Sequence, residues 1–299
     1  MGRSITGAHT RLMTATEAEI LSQPDLWSTA AAMSVPSLAA PGERVLAVGC
    51  GTSAFVALAY AVLREQAGLG ETDWGYGLEA PLTREYDRVV VISRSGTTTE
   101  VIDVLRVLPD TPTVLVTAVA GSPAAEVADE VIVLDYADET SVVQTRFPTT
   151  VLTLVRAACG YDVAPSIADC VTAVTRTGVD PRPFGHFVFL GTGWTVGLAH
   201  EAALKIRESA QCWSESYPAM EYRHGPVAVA TPDTLVWIFG PAPEGLVETV
   251  TATGATVHTS DLDPLADLVL AQRLALDLAL DRGLDPDHPR ALSRSIILS

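Results

Sequence analysis

Three stretches of the chain carry side chains whose types and spacing suit chemistry. The run Ser93-Arg94-Ser95-Gly96-Thr97-Thr98-Thr99 packs five hydroxyls and one glycine into seven residues. It follows an apolar run at 89–92 and leads into a helical pattern over 98–108. Backbone N–H groups at a helix start, together with hydroxyls, suit a phosphate. The competing reading is plain capping by Ser95 or Thr97. A cap needs a single hydroxyl, so the surplus favours an anion. No G-x-x-x-x-G-K-[ST] run is present, which argues against a nucleotide-hydrolysing loop. Gly49-Cys50-Gly51-Thr52-Ser53 is a second glycine turn, resembling half a dinucleotide fingerprint without its third glycine. In an open parallel sheet both turns would lie beyond the carboxyl ends of the strands and could wall one pocket.

The second stretch is helical. Glu201, Lys205 and Glu208 stand at i, i+4 and i+7 and share a face. Two readings stay open: a solvated salt-bridged stripe, or a carboxylate that shuttles a proton beside a cation that stabilises an enolate. Lys205 is the one lysine beside 18 arginines. The third stretch, 215–226, ends in His224-Gly225-Pro226. A histidine in such a turn suits proton delivery to a ring oxygen, with a plain surface histidine as the alternative.

The elements that must position these residues follow from hydrophobic pattern. Continuous apolar runs at 45–48, 89–92, 113–116 and 131–134 read as buried strands. Residues 53–66, 98–108 and 147–159 read as helices by apolar spacing. The pattern restarts with strands at 187–190, 235–239 and 256–258 and helices at 195–211, 246–253 and 265–282. Alternating β and α of this length predict an α/β fold with parallel sheets. Leu190-Gly191-Thr192-Gly193-Trp194-Thr195 repeats the Val48–Ser53 pattern 142 residues later, so a duplicated unit is expected. One long doubly wound sheet is the alternative. The second half has Gly240-Pro241-Ala242-Pro243 where the hydroxyl turn would fall, which predicts one phosphate site per chain. The expected division is an N-terminal segment 1–23, a first domain 24–177, a second domain 178–283 and a tail 284–299.

Composition narrows the partners. The chain has 299 residues, 48% of them hydrophobic, a mean hydropathy of +0.27 and a net charge of −17. That composition supports a sizeable core and argues against nucleic acid or an anionic membrane as partner. Cys50, Cys159, Cys170 and Cys212 form no CxxC pair, which argues against a disulfide framework or a zinc site. The stretch 1–16 carries Arg3 and Arg11 without an apolar core, so it is expected to be no signal peptide, and a reducing cytoplasm is the expected home.

Read together and in order, these motifs resemble the sugar isomerase (SIS) domain family, specifically the tandem-SIS isomerase half of glucosamine-6-phosphate synthase. The likeness runs through Glu19-Ile20, Gln23-Pro24, Cys50-Gly51-Thr52-Ser53, Ser93–Thr98, residues 139–145, 201–208, 215–226 and Asp287-His288-Pro289-Arg290, nearly the whole chain. It implies two flavodoxin-like αβα subdomains and a homodimer with shared sites. Ser53, Ser93, Arg94, Ser95 and Thr98 would match positions that hold the sugar phosphate. Cys50, Gly51, Thr52, Val142, Gln144 and Glu201 would border the sugar. Glu208 would match the carboxylate that moves a proton between C1 and C2, and Lys205 a lysine near the enediol oxygens. His224 would match a ring-opening histidine that reaches in from the partner subunit. No metal or nicotinamide is implied. Departures from the synthase are expected to matter: the reading is of a chain without a glutaminase domain, position 2 is glycine, and Arg294 stands where the synthase tail has an imine-forming lysine. These features look more like stand-alone amino-sugar phosphate deaminase–isomerases, ketose–aldose isomerases and fructosamine-phosphate deglycases. The expected function is a phosphosugar isomerase or deaminase working through an enediol or enediolamine. The alternative is a non-catalytic sugar-phosphate-binding regulator.

Overall fold

A computed structural model describes residues 12–34 and 38–298. The stretch bearing Gly2, Arg3 and Arg11, on which the signal-peptide expectation rests, lies outside the described residues. The first half of the chain builds one parallel sheet from β1 (Val45–Gly49), β2 (Thr72–Tyr76), β3 (Arg88–Ile92), β4 (Thr113–Thr117) and β5 (Glu130–Val133), in the order β2-β1-β3-β4-β5. The second half builds another from β6 (His186–Gly191), β7 (Ser214–Pro218), β8 (Thr234–Ile238) and β9 (Thr256–Thr259), in the order β7-β6-β8-β9. All neighbours are parallel. The two orders coincide once the last strand of the first sheet is removed, as a duplicated flavodoxin-like unit requires.

The same local rule makes both halves turn. A side chain at Gly49 would place its Cβ 2.4 Å from the carbonyl carbon of Ser53, and one at Gly191 would lie 2.2 Å from the carbonyl oxygen of Thr195. Only glycine lets the following helix start so close to the strand. These helices are α3 (Thr52–Gln66) and α7 (Thr195–Ala210). They cross where Gly197 faces the backbone oxygen of Phe55, 2.5 Å from an added Cβ.

The other helices are α1 (Ala15–Leu21), α2 (Gln23–Ala32), α4 (Thr99–Val107), α5 (Arg146–Ala158), α6 (Ala164–Thr175), α8 (Leu246–Thr251) and α9 (Pro264–Asp281). Trp27, Tyr60, Phe147, Phe187, Trp237 and Leu268 belong to one apolar cluster that draws on both halves. The outer faces of the two sheets have smaller clusters of their own. Joining the halves through a common core fixes α7 of the second against α3 of the first, which is what assembles the site. Among the described residues no helix is long and apolar enough to cross a membrane.

Candidate active site

The hydroxyl turn follows β3 as expected, but the helix cap differs from either residue proposed for it. Thr98 is the N-cap of α4, and its side chain makes no capping bond. Ser95 Oγ instead accepts from Thr97 N at 3.2 Å and Thr97 Oγ1 at 2.9 Å, and Ser93 Oγ accepts from Gly96 N at 3.2 Å. Gly96 has φ +61° and lies against Ser122, so the turn needs a residue without a side chain. The N-terminus of α3 is likewise without a side-chain cap at Gly51. Both helix starts face one cavity lined by Cys50, Ser53, Ser93, Ser95, Thr98 and Gln144. Helix starts without side-chain caps, together with hydroxyls, are groups that suit an anion.

A second lobe of about 180 Å³ adjoins it, sharing Cys50, Thr98, Gln144 and Arg294 as wall and adding Gly51, Thr52, Val142 and Glu208. At its edge the stripe on α7 is no solvated surface. Lys205 is buried, with Nζ 2.5 Å from Glu208 Oε2, 3.3 Å from Thr52 Oγ1 and 3.5 Å from Glu201 Oε1. Burial alone would lower the lysine, but Glu201 and Glu208 outweigh it and hold the ammonium above its ordinary value. Glu201 is fully buried behind Lys205. Burial pushes its carboxyl up to about 7, with Lys205 opposing and Glu208 adding to the rise. It backs the lysine and does not line either lobe. Glu208 is the partly exposed member, at 20% of its side chain, and reaches the cavity. A cation with one carboxylate behind it and one in the cavity can move a proton and stabilise an oxyanion at the same place.

Arg94 stands on the wall of the first lobe, yet its guanidinium is turned onto the protein. Nη1 donates to the Ser141 carbonyl at 3.0 Å and faces Glu139 at 3.5 Å, and Nη2 donates to the carbonyls of Val142 at 3.2 Å and Arg294 at 3.3 Å. The side chain thus ties the 139–145 loop to the tail. Burial raises the Glu139 carboxyl while Arg94 and the Thr145 N–H counter it. Cys50 also carries no thiolate: burial and the neighbouring Glu100 push its thiol up to about 12.

Several contributors escaped the sequence. Glu19 on α1 accepts from the backbone N–H groups of Thr140 and Ser141, bracing the loop. Gln272 on α9 donates to the Thr145 carbonyl at 3.0 Å and accepts from Gln23 at 2.8 Å. The tail crosses the site: Thr99 N donates to the Ile296 carbonyl at 3.1 Å, and Leu292, Ser293, Ser295 and Ile296 line the second lobe. Arg294 donates to the Glu139 carbonyl and pairs with Asp138. The motif pair Glu19 and Gln23 was the available signal for the braces; the tail's role had none beyond Arg294. His224 ends a short 3-10 turn (Glu221–His224), is exposed and stands outside both lobes, so a single chain does not bring it to Glu208.

No protein-family profile matches the chain. It is 27% identical to a glutamine–fructose-6-phosphate aminotransferase (isomerizing) of Pyrobaculum aerophilum, over 93% of this chain and 56% of the relative. It is 28% identical to the same enzyme of Methanothermobacter thermautotrophicus, over 85% of this chain and 51% of the relative. The chain therefore spans about half the length of the curated relatives it matches. Among solved structures, glucosamine-6-phosphate deaminase of Thermotoga maritima superposes with a TM-score of 0.80 at 27% identity, covering 95% of this chain and all of that one. Tagatose-6-phosphate ketose/aldose isomerase of Escherichia coli shares the fold with a TM-score of 0.74 at 20% identity, covering 96% of this chain and 100% of the other.

Proposed function

We propose that this chain, a SIS-type sugar isomerase/deaminase domain resembling the isomerase half of glucosamine-6-phosphate synthase and the stand-alone deaminase–isomerases, acts on a phosphorylated sugar or amino sugar through an enediol or enediolamine. One observation carries the reading. The Lys205–Glu208 pair stands at one end of a cavity whose other end consists of two helix starts without side-chain caps and buried hydroxyls. A dianionic phosphate held by Ser53, Ser93, Ser95 and Thr98 would direct the other end of the sugar chain toward Glu208. Cys50, Gly51, Thr52, Val142 and Gln144 flank the carbon skeleton between them.

Glu208 then takes the proton from C2 and returns it to C1, while the Lys205 ammonium balances the charge on the enediol oxygen. With a 2-amino group, the same transfer leaves a C2 imine, and water hydrolyses it to a ketose and ammonia. His224 opens the ring from the partner subunit of a homodimer, which accounts for its place outside the single-chain cavity. The setting is the cytoplasm.

The test is solvent exchange. Glu208→Gln abolishes deuterium incorporation at C1 and C2 of glucosamine 6-phosphate or a related sugar phosphate, followed by NMR, and leaves phosphate-sugar binding intact. General acid–base groups contribute about 10²–10⁴ in rate, so residual exchange falls by at least the lower figure. Unchanged exchange removes Glu208 from the role. Binding without turnover across a panel of hexose and hexosamine 6-phosphates by the unaltered protein replaces the enzyme with a sensor.

A further inference from the structure

Val142 and Gln144 line the second lobe beside Glu208. They belong to the loop that joins the 3-10 turn Asp135–Ala137 to α5. The base of this loop closes on itself, because the Glu139 carboxylate accepts from the N–H groups of Thr145 and Arg146. Its tip, residues 140–142, is held from outside. The carbonyls of Ser141 and Val142 accept from Arg94 at 3.0 Å and 3.2 Å. The N–H groups go to α1 and the tail. Thr140 N and Ser141 N donate to Glu19 Oε1 at 2.5 Å and 3.2 Å, and the Ser141 hydroxyl donates to its other oxygen. Val142 N donates to the Asp287 carbonyl at 3.1 Å.

Glu19 is 4% exposed, and all three of these bonds come from the loop tip. Its helix rests in turn on the tail. Ala15 N and Thr16 N donate to the Asp287 carboxylate at 2.9 Å and 2.8 Å. Asp287 therefore holds the loop tip through its carbonyl and α1 through its side chain. Neither Glu19 nor Asp287 lines the cavity, so any effect on a ligand passes through Val142 and Gln144. A buried carboxylate costs desolvation, and stability alone is served as well by an apolar residue of similar volume. What a carboxylate adds is direction: three donors converging on it fix where the tip stands.

Resting on the phosphosugar reading above, we propose that Glu19 is a positioning residue: from α1, seated on Asp287, it sets the loop tip so that Val142 and Gln144 meet the body of the sugar. Affinity for the sugar is then linked to the docking of α1, and the linkage runs both ways.

Calorimetric titration of the full chain tests this with three probes: glucosamine 6-phosphate, fructose 6-phosphate and inorganic phosphate. Glu19→Gln keeps the volume but turns one acceptor into a donor facing N–H groups. It should weaken both sugar phosphates about tenfold, a typical effect of one charge-assisted contact, and change inorganic phosphate less than twofold. Asp287→Asn should show the same split. The double variant should be no weaker than the more severe single one within twofold, because both residues act on one tip. Thr195→Val, which loses internal bonds elsewhere, serves as the control for lowered stability. Hydrogen exchange on the unaltered chain keeps the test open if a variant fails to fold. Saturating glucosamine 6-phosphate should slow exchange at Ala15 and Thr16 as well as at Thr140 and Ser141. Unchanged sugar-phosphate affinity in Glu19→Gln, an equal loss for inorganic phosphate, additive losses in the double variant, or protection confined to the loop overturns the positioning role and leaves the phosphosugar reading standing. Failure of the unaltered chain to bind either sugar phosphate overturns both.

Discussion

In the first half of the molecule the strand-to-helix turn at Gly49 runs into α3 with Ser53 on the cavity wall. In the second half the matching turn at Gly191 runs into α7, but the Thr195 hydroxyl accepts from Thr192 N at 2.8 Å and donates to the Phe239 carbonyl at 3.2 Å. The next turns differ in the same sense. Ser93–Thr98 presents buried hydroxyls at a helix start without a side-chain cap, whereas Gly240-Pro241-Ala242-Pro243 offers no hydroxyl. One copy has kept its polar groups for a ligand and the other has closed on itself. The closed copy still serves the site, because its first helix supplies Lys205 and Glu208 to the open copy. Under the proposed function, duplication has separated anion holding from proton transfer.

Lys205→Met breaks this division most severely. It leaves Glu201 and Glu208 without their shared cation, and removing one partner of a buried ion pair costs about 3–5 kcal/mol. Thermal unfolding would show a large drop in Tm, and turnover would fall at least as far as in Glu208→Gln.

Paired glycine substitutions sharpen the contrast. Gly96→Ala and Gly240→Ala both force a side chain onto positive φ, +61° and +80°, at about 1–2 kcal/mol each. At Gly96 the new Cβ also meets Ser122 Oγ at 2.0 Å, while at Gly240 the nearest atom is 3.5 Å away. Gly96→Ala should therefore weaken sugar-phosphate binding on the order of a hundredfold, equivalent to about 2.7 kcal/mol, and Gly240→Ala should leave it unchanged. Equal losses would erase the distinction between the open and closed turns.

Hydroxyl removal gives a mirrored, smaller pair. Thr195→Val loses internal bonds and costs about 1–3 kcal/mol in urea unfolding, with binding unchanged. Ser53→Ala does the reverse, with roughly tenfold weaker binding for a lost contact of about 1.4 kcal/mol and little change in stability.

A pH dependence is the last test. Burial raises Glu201 from 4.5 to about 7, against the pull of Lys205. A folded-state value above the unfolded one gives stability that is full below pH 4.5 and lost as pH rises through 7. Glu201→Gln removes that loss, so its Tm relative to the unaltered protein should rise between those limits and level off above them. A flat difference across the range would show that the buried carboxyl stays ionised throughout.

Much of this was legible beforehand because it is local. Continuous apolar runs marked β1, β3, β4, β6 and β8, and the two glycine turns announced the duplication. The strands left unread, β2 and β7, are the edge members of their sheets. Their sequences, Thr-Asp-Trp-Gly-Tyr and Ser-Glu-Ser-Tyr-Pro, are half-exposed and mixed in polarity, because an edge strand need not be apolar on both faces. Helices α1, α2 and α6 were also missed. The braces they help supply, such as Glu19 on the 139–145 loop, join residues 121 and 122 positions apart.

The spacing on α7 established that Glu201, Lys205 and Glu208 share a face, since 3.6 residues per turn is a property of the backbone alone. Whether that face met water or a cavity was a matter of packing: α7 crosses α3 at a glycine, Thr52 comes to 3.3 Å from Lys205, and one carboxylate is buried while another stays open. Likewise the chain could announce an arginine at position 94, but the direction of its guanidinium depended on where loop and tail carbonyls came to rest. Residue type and helical period are carried by neighbouring atoms along the chain; solvent exposure, pairing and pKa depend on atoms that only folding brings near.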